Sequence, residues 1–125
     1  MIKIYHNPRC RKSREGIQIL QESGKNFEII DYLNEKLSFD EVKSIIGLLG
    51  ISPIDLVRKS EVVWKEHYKG KDLSDKDVIS AMSKFPKLIE RPIVIHNKKA
   101  VIGRPPETIK QILWFLFNTI LTTSE

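Results

Sequence analysis

Two short apolar runs, Ile2-Lys3-Ile4-Tyr5 and Phe27-Glu28-Ile29-Ile30, stand on either side of a segment with helical periodicity. Between them Ile17, Ile19 and Leu20, with polar residues at the intervening positions, fit an amphipathic helix from about Lys12 to Glu22. Gly24 follows as its stop. A strand, a helix and a second strand form a right-handed crossover, so the two strands are expected to be parallel.

The rest of the chain supplies helices and then a hairpin. Ser38-x-x-Glu41 reads as a capping box, with Val42, Ile45, Ile46 and Leu49 at helical spacing and Gly50 as the stop. Ser52-Pro53 opens a short helix with proline at its first position. Ser74 with Asp77 starts another, which carries Val78, Ile79 and Met82 and ends before Pro86. Pro92-Ile93-Val94-Ile95 and Ala100-Val101-Ile102 flank His96-Asn97-Lys98-Lys99 and predict a β-hairpin. Pro105-Pro106 precedes a final helix. The order is β-α-β, helices, then β-β-α. With the helical insertion at about 38–88 set aside, this is the element order of the thioredoxin fold. The expectation is an α/β chain with a mixed sheet flanked by helices, as a single domain over residues 1–125.

The only cysteine, Cys10, falls where the first strand hands over to the first helix, in His6-Asn7-Pro8-Arg9-Cys10-Arg11-Lys12-Ser13-Arg14. Within four residues of its sulfur lie one His, three Arg and one Lys. A thiol is a poor nucleophile until it loses its proton. Cationic neighbours and a helix N-terminus both favour the thiolate. The turn is polar and cationic, so Cys10 is expected to be a reactive thiolate rather than a small buried hydrophobe.

Composition narrows the partners. The net charge of +5 raises the question of nucleic acid, but the kind of base matters more than the sum. Lysines are scattered along the chain, whereas the arginines fall at 9, 11 and 14 beside the cysteine and then at 58, 91 and 104. Arginine presents a planar fork of donors suited to oxyanions; lysine offers a hydrated point charge. The pattern points to a small oxyanion ligand, and no basic stripe with interleaved aromatics argues for nucleic acid. One cysteine closes no internal disulfide and no signal-like apolar region opens the chain, so the cytoplasm is the expected location. The apolar run from Ile112 to Phe117 is far short of the roughly 20 residues that span a bilayer. His67 and His96 show no ligand spacing with each other or with Cys10, so no metal site is expected. Trp64, Trp114, Phe115 and Phe117 read as core or contact residues.

Three segments stand out together: His6-Asn7-Pro8-Arg9-Cys10-x-x-Ser13-Arg14, Glu90-Arg91-Pro92-Ile93-Val94 and Ile102-Gly103-Arg104-Pro105-Pro106. In this order and spacing, with Leu56-Val57-Arg58-Lys59, the chain resembles the glutaredoxin-coupled arsenate reductase family from about Ile2 to Ile112. That thioredoxin-fold group also contains the Spx regulators. The resemblance implies that Cys10 is the nucleophile that attacks arsenate. It implies that Arg58, Arg91 and Arg104 bind the oxyanion and that His6 helps to depress the cysteine pKa. Pro92 matches a proline at the start of the third strand that usually follows a cis peptide bond and faces the catalytic cysteine. The implied scheme is attack by Cys10 on arsenic, addition of glutathione as co-substrate, and reduction by glutaredoxin with release of arsenite. No bound cofactor is implied, and the chain is expected to be a monomer or a weak dimer.

Ser13 stands where thioredoxins carry a second cysteine. It is either a first-turn residue that hydrogen-bonds backbone or a catalytic one. Arg9, Arg11 and Arg14 are either a solvated basic face or direct ligands. A tyrosine-phosphatase loop is disfavoured, because the sixth residue after the cysteine is Gly16 rather than arginine. A Spx-type redox switch needs Cys-x-x-Cys, which Ser13 removes, but binding to RNA polymerase without the switch stays open. A third reading is a monothiol thiol–disulfide oxidoreductase that does not act on arsenate. Two features depart from the well-characterised reductases. Arg11-Lys12 places two cations where small or polar residues are common, which bears on anion preference or glutaredoxin docking. The apolar ending from Ile112 to Leu121 either packs on the domain or buries in a partner.

Overall fold

A computed structural model of the chain describes residues 1–114. It contains two compact units: Met1–Asp31 together with the chain from Arg91 onward, and Tyr32–Glu90.

The first unit is a four-stranded sheet with helical elements packed on it. Strands β1 (Ile2–Tyr5) and β2 (Phe27–Ile30) are joined by helix α1 (Arg11–Ser23) and pair in parallel, Ile2 opposite Phe27 and Tyr5 opposite Ile30. Strands β3 (Ile93–His96) and β4 (Lys99–Ile102) form an antiparallel hairpin, and β3 lies antiparallel to β1. The sheet order is β2-β1-β3-β4. This mixed sheet with flanking helices is thioredoxin-like, as the element order predicts. Ile2, Ile4, Leu20, Val94, Ile109 and Ile112 form its buried core. Gly24 takes a left-handed φ of 72° at the end of α1, a conformation that costs glycine little.

The second unit is helical. Helix α2 (Phe39–Leu49) starts on Ser38, whose side chain accepts from the Glu41 N–H while the Glu41 carboxylate accepts from the Ser38 N–H. Ser74 and Asp77 repeat this reciprocal cap on helix α4 (Asp75–Lys84). Ser52 and Asp55 cap a 3₁₀ turn over Pro53–Leu56. Val42, Ile45 and Ile46 of α2 and Val78, Ile79 and Met82 of α4 are buried, and the two helices pack on each other.

Several elements differ from the sequence reading. A helix the periodicity did not mark, α3 (Val62–His67), is one and a half turns long and lacks a side-chain cap, so no start signal announces it. It carries buried Trp64, whose ring stacks on Tyr68 at 5.3 Å. The hairpin strands run further than expected, and the turn shrinks to Asn97-Lys98, with Asn97 at φ 53°. His96 and Lys99 pair across the hairpin instead of looping out, because asparagine tolerates the positive φ of a tight turn. The final helix begins as a 3₁₀ turn over Pro106–Ile109 and is α-helical through 110–114. Trp114, expected as core or contact, is 63% exposed. Phe115, Phe117 and the rest of the apolar ending to Leu121 lie outside the described residues. No helix among the described residues is long and apolar enough to cross a membrane.

Pro92, preceded by a cis peptide bond as the resemblance implies, sits in a tight surround. A Cβ on Gly103 would meet Pro92 Cγ at 2.8 Å and Ile109 Cδ1 at 3.0 Å. One on Gly16 would meet Ile109 Cδ1 at 2.9 Å and Pro92 Cγ at 3.1 Å. Gly103→Ala is expected to cost about 1–3 kcal/mol by overpacking, read as a lower midpoint in urea denaturation. Gly16→Ala should cost less, since alanine returns roughly 0.8–1 kcal/mol of helix propensity inside α1.

Candidate active site

The loop between β1 and α1 places Cys10 at the N-cap of α1, with extended backbone (φ −95°, ψ 122°). The Cys10 N–H donates to the Asn7 carbonyl at 3.0 Å, and the Arg14 N–H donates to the Cys10 carbonyl at 3.1 Å. The thiol is half-buried. Burial pushes its pKa up, but the backbone N–H groups of Ser13 and Lys12 and the side chains of Arg91 and Arg104 all hydrogen-bond the sulfur. These four donors win, and the pKa falls below the ordinary thiol value. The thiolate expected from sequence is thus favoured, through first-turn N–H groups and two arginines from the distant end of the chain.

The β3–β4 hairpin delivers both arginines. Arg91 precedes β3 and is 8% exposed; Arg104 follows β4. Gly103 N–H donates to the Pro92 carbonyl at 2.7 Å, closing the open end of the hairpin. Arg104 Nη1 donates to the Arg91 carbonyl at 3.1 Å and lies 3.7 Å from Cys10 Sγ. A second cis bond, Arg104-Pro105, follows, which the sequence reading did not anticipate.

The other candidates take different places. Ser13 is fully buried, and its hydroxyl accepts from the Asn7 N–H at 3.3 Å, while its own N–H serves the sulfur. Its side chain thus braces the loop. His6 lies on the same unit, with its N–H donating to the Ile30 carbonyl and with Nδ1 buried without a hydrogen-bond partner. Burial lowers its pKa, Asp31 opposes that shift and Arg14 adds to it. The net shift is downward and favours the neutral ring. Arg14 donates to the Pro8 carbonyl at 3.0 Å, and the largely exposed Arg11 pairs with Glu15 at 3.0 Å. Arg58 belongs to the second unit, where Nη1 donates to Glu90 at 2.8 Å and Nε lies 3.6 Å from Glu61. Among the described residues no group of three metal-ligating side chains converges.

The structure therefore brings Cys10, Ser13, Arg91 and Arg104 together around one sulfur. Asn7, buried at 5% exposure at the centre of the loop, was not singled out in the sequence. Its position three residues before the cysteine was the available signal.

Comparison with known proteins supplies the family. The profile of the ArsC family matches residues 5–112. The chain belongs to the ArsC family. It is 43% identical over 112 residues to the arsenate reductase of Haemophilus influenzae, covering 88% of this chain and 97% of that one. It is also 43% identical over 114 residues to the uncharacterised protein YfgD of Escherichia coli, covering 90% and 96%. The solved arsenate reductase from Vibrio cholerae superposes with a TM-score of 0.85 at 42% identity, over 89% of this ArsC-family chain and 96% of that chain.

A pH titration checks the thiol of this family member directly. Iodoacetamide labelling of Cys10 is expected to follow an apparent pKa below that of a free thiol, about 8.5. His6→Ala should leave that titration in place, since the lowering comes from donors other than His6. A shift on losing His6 would make the histidine a partner of the thiolate after all.

Proposed function

We propose that this chain reduces arsenate to arsenite through Cys10, with glutathione and glutaredoxin as the reductants. The observation that carries this reading is the Cys10 sulfur held among two α1 N–H groups, Arg91 and Arg104. The same donors that stabilise a thiolate are suited to a tetrahedral oxyanion approaching it. A thiolate and an arsenate anion repel each other, and guanidinium groups offset that charge. Each hydrogen bond to a charged acceptor contributes about 1.5–3 kcal/mol.

Cys10 attacks arsenic, forming the S–As bond, and one arsenate oxygen leaves as water. Glutathione adds to the same arsenic with loss of a second water. A glutaredoxin thiol then attacks the glutathione sulfur, the S–As bond to glutathione breaks, and its electron pair reduces As(V) to As(III). The products are a glutaredoxin–glutathione mixed disulfide and arsenic(III) on Cys10, which water releases as arsenite. With no second cysteine in the sequence, this chain supplies no resolving thiol of its own. Arg58 is assigned the third oxyanion-binding position on family resemblance. The relatives named arsenate reductase support the substrate.

The test is a coupled assay containing arsenate, glutathione, glutaredoxin, glutathione reductase and NADPH. NADPH oxidation that requires all components, with arsenite as product, is the expected result. No turnover with correctly folded protein would overturn the reading, and recovery of RNA polymerase from a pull-down would then favour a regulator.

A further inference from the structure

We propose that Asn7 is the positioning residue of the Cys10 loop, fixing the chain so that the first-turn N–H groups of α1 aim at the sulfur. Three hydrogen bonds carry this assignment. The Asn7 side-chain carbonyl accepts from the Arg9 N–H at 3.0 Å, closing an Asx turn. The Asn7 main-chain carbonyl accepts from the Cys10 N–H at 3.0 Å. Its N–H donates to the Ser13 hydroxyl at 3.3 Å, tying the start of the loop to the first turn of α1. One residue thus engages Arg9, Cys10 and Ser13.

The burial makes the device effective. Asn7 is 5% exposed and Ser13 fully buried, so water does not compete well for these bonds. Pro8, next in the chain, has no N–H to offer. The loop has no regular ladder of its own, and these bonds determine where Cys10 sits relative to the helix end. Asn7 touches no reacting atom. It acts through the N–H groups of Lys12 and Ser13, which reach the sulfur.

This inference rests on the activated-thiolate part of the proposed function and is independent of arsenate. The experiment is the pH dependence of iodoacetamide labelling at Cys10, in the full chain, for wild type, Asn7→Ala and Asn7→Ser. Asn7→Ala removes the Asx acceptor and should raise the apparent thiol pKa by about one unit, a tenfold change in the acid constant. Serine closes a similar but weaker turn, so Asn7→Ser should fall between the two. Val42→Ala in α2, which lowers stability through a core cavity, should leave the titration unmoved and so separates positioning from general loosening.

An Asn7→Ala titration that overlays wild type overturns the assignment, as does an Asn7→Ser variant no better than Asn7→Ala. Should Asn7→Ala fail to fold, Asn7→Ser decides: an upward shift supports the role and an unchanged titration overturns it. A wild-type thiol titrating at or above about 8.5 would overturn the activated thiolate itself. Failure of the arsenate assay with these shifts intact would instead count against the substrate.

Discussion

Cys10→Ser is expected to abolish arsenate reduction while leaving the fold intact or slightly more stable. A serine hydroxyl stays protonated near neutral pH and offers arsenic no nucleophile comparable to a thiolate. The stability side follows from the N-cap. Cys10 occupies that position with extended backbone and its sulfur already meets the Lys12 and Ser13 N–H groups, which a serine hydroxyl, among the preferred N-cap side chains, is also suited to accept from. Against this stands the loss of the thiolate's bonds. The Cys10 pKa is lowered by folding, so the thiolate adds stability that is full above the unfolded-state pKa and is lost as pH falls through the folded one. The serine variant should therefore gain relative to wild type at pH 6 and lose that advantage by pH 9. Thermal unfolding at the two values measures the crossover, and the coupled assay measures activity. Residual reductase activity in the variant would remove Cys10 from the mechanism.

Arg91→Ala and Arg104→Ala are each expected to weaken oxyanion or transition-state binding by roughly 10- to 150-fold, the equivalent of about 1.5–3 kcal/mol. Both side chains hydrogen-bond the sulfur, so each change should also raise the thiol pKa. Lysine should recover little, because one ammonium does not reproduce a bidentate fork. Arg104→Ala carries a second loss, since Nη1 also holds the Arg91 carbonyl. Arg58→Ala tests the third family position, and its stability must be measured beside its kinetics because Glu90 and Glu61 lose their cation. Arg9→Ala and Arg11→Ala should cost far less and fade as salt rises, given the exposure of Arg11 and its pairing with Glu15. Equal, salt-sensitive losses at all five positions would mean a diffuse basic face and no specific anion site.

Much of the scaffold was readable because it is written in local chemistry. Ser38 with Glu41 and Ser74 with Asp77 announce their helices by a reciprocal bond between neighbours in sequence. Gly24 and Gly50 announce helix ends by a backbone preference. Helix α3 carried no such mark: it is short, uncapped and exposes Val62. The site was legible as a set of residue types, since cysteine and arginine limit the chemistry wherever they meet. Its long-range geometry was not. Nothing local to Gly16 or Gly103 indicates that both face Pro92 and Ile109, because those contacts join α1, β4 and the 3₁₀ turn only after folding. The same holds for the surroundings of His6, whose ring is partly buried and feels the charges of Asp31 and Arg14.

The hairpin has a practical use that follows from its direction. Arg91 and Arg104 leave it at the open end, where the Ile93–Ile102 pair and the Gly103–Pro92 bond hold the strands together. The Asn97-Lys98 turn is at the opposite end, a full strand length away from the sulfur that the arginines serve. A fluorophore or a short epitope attached at Lys98 would report on the folded sheet while the chemistry proceeded undisturbed at the other end. A label there leaves Cys10, the one thiol of the chain and the group on which a conventional thiol probe would fall, free for its chemistry.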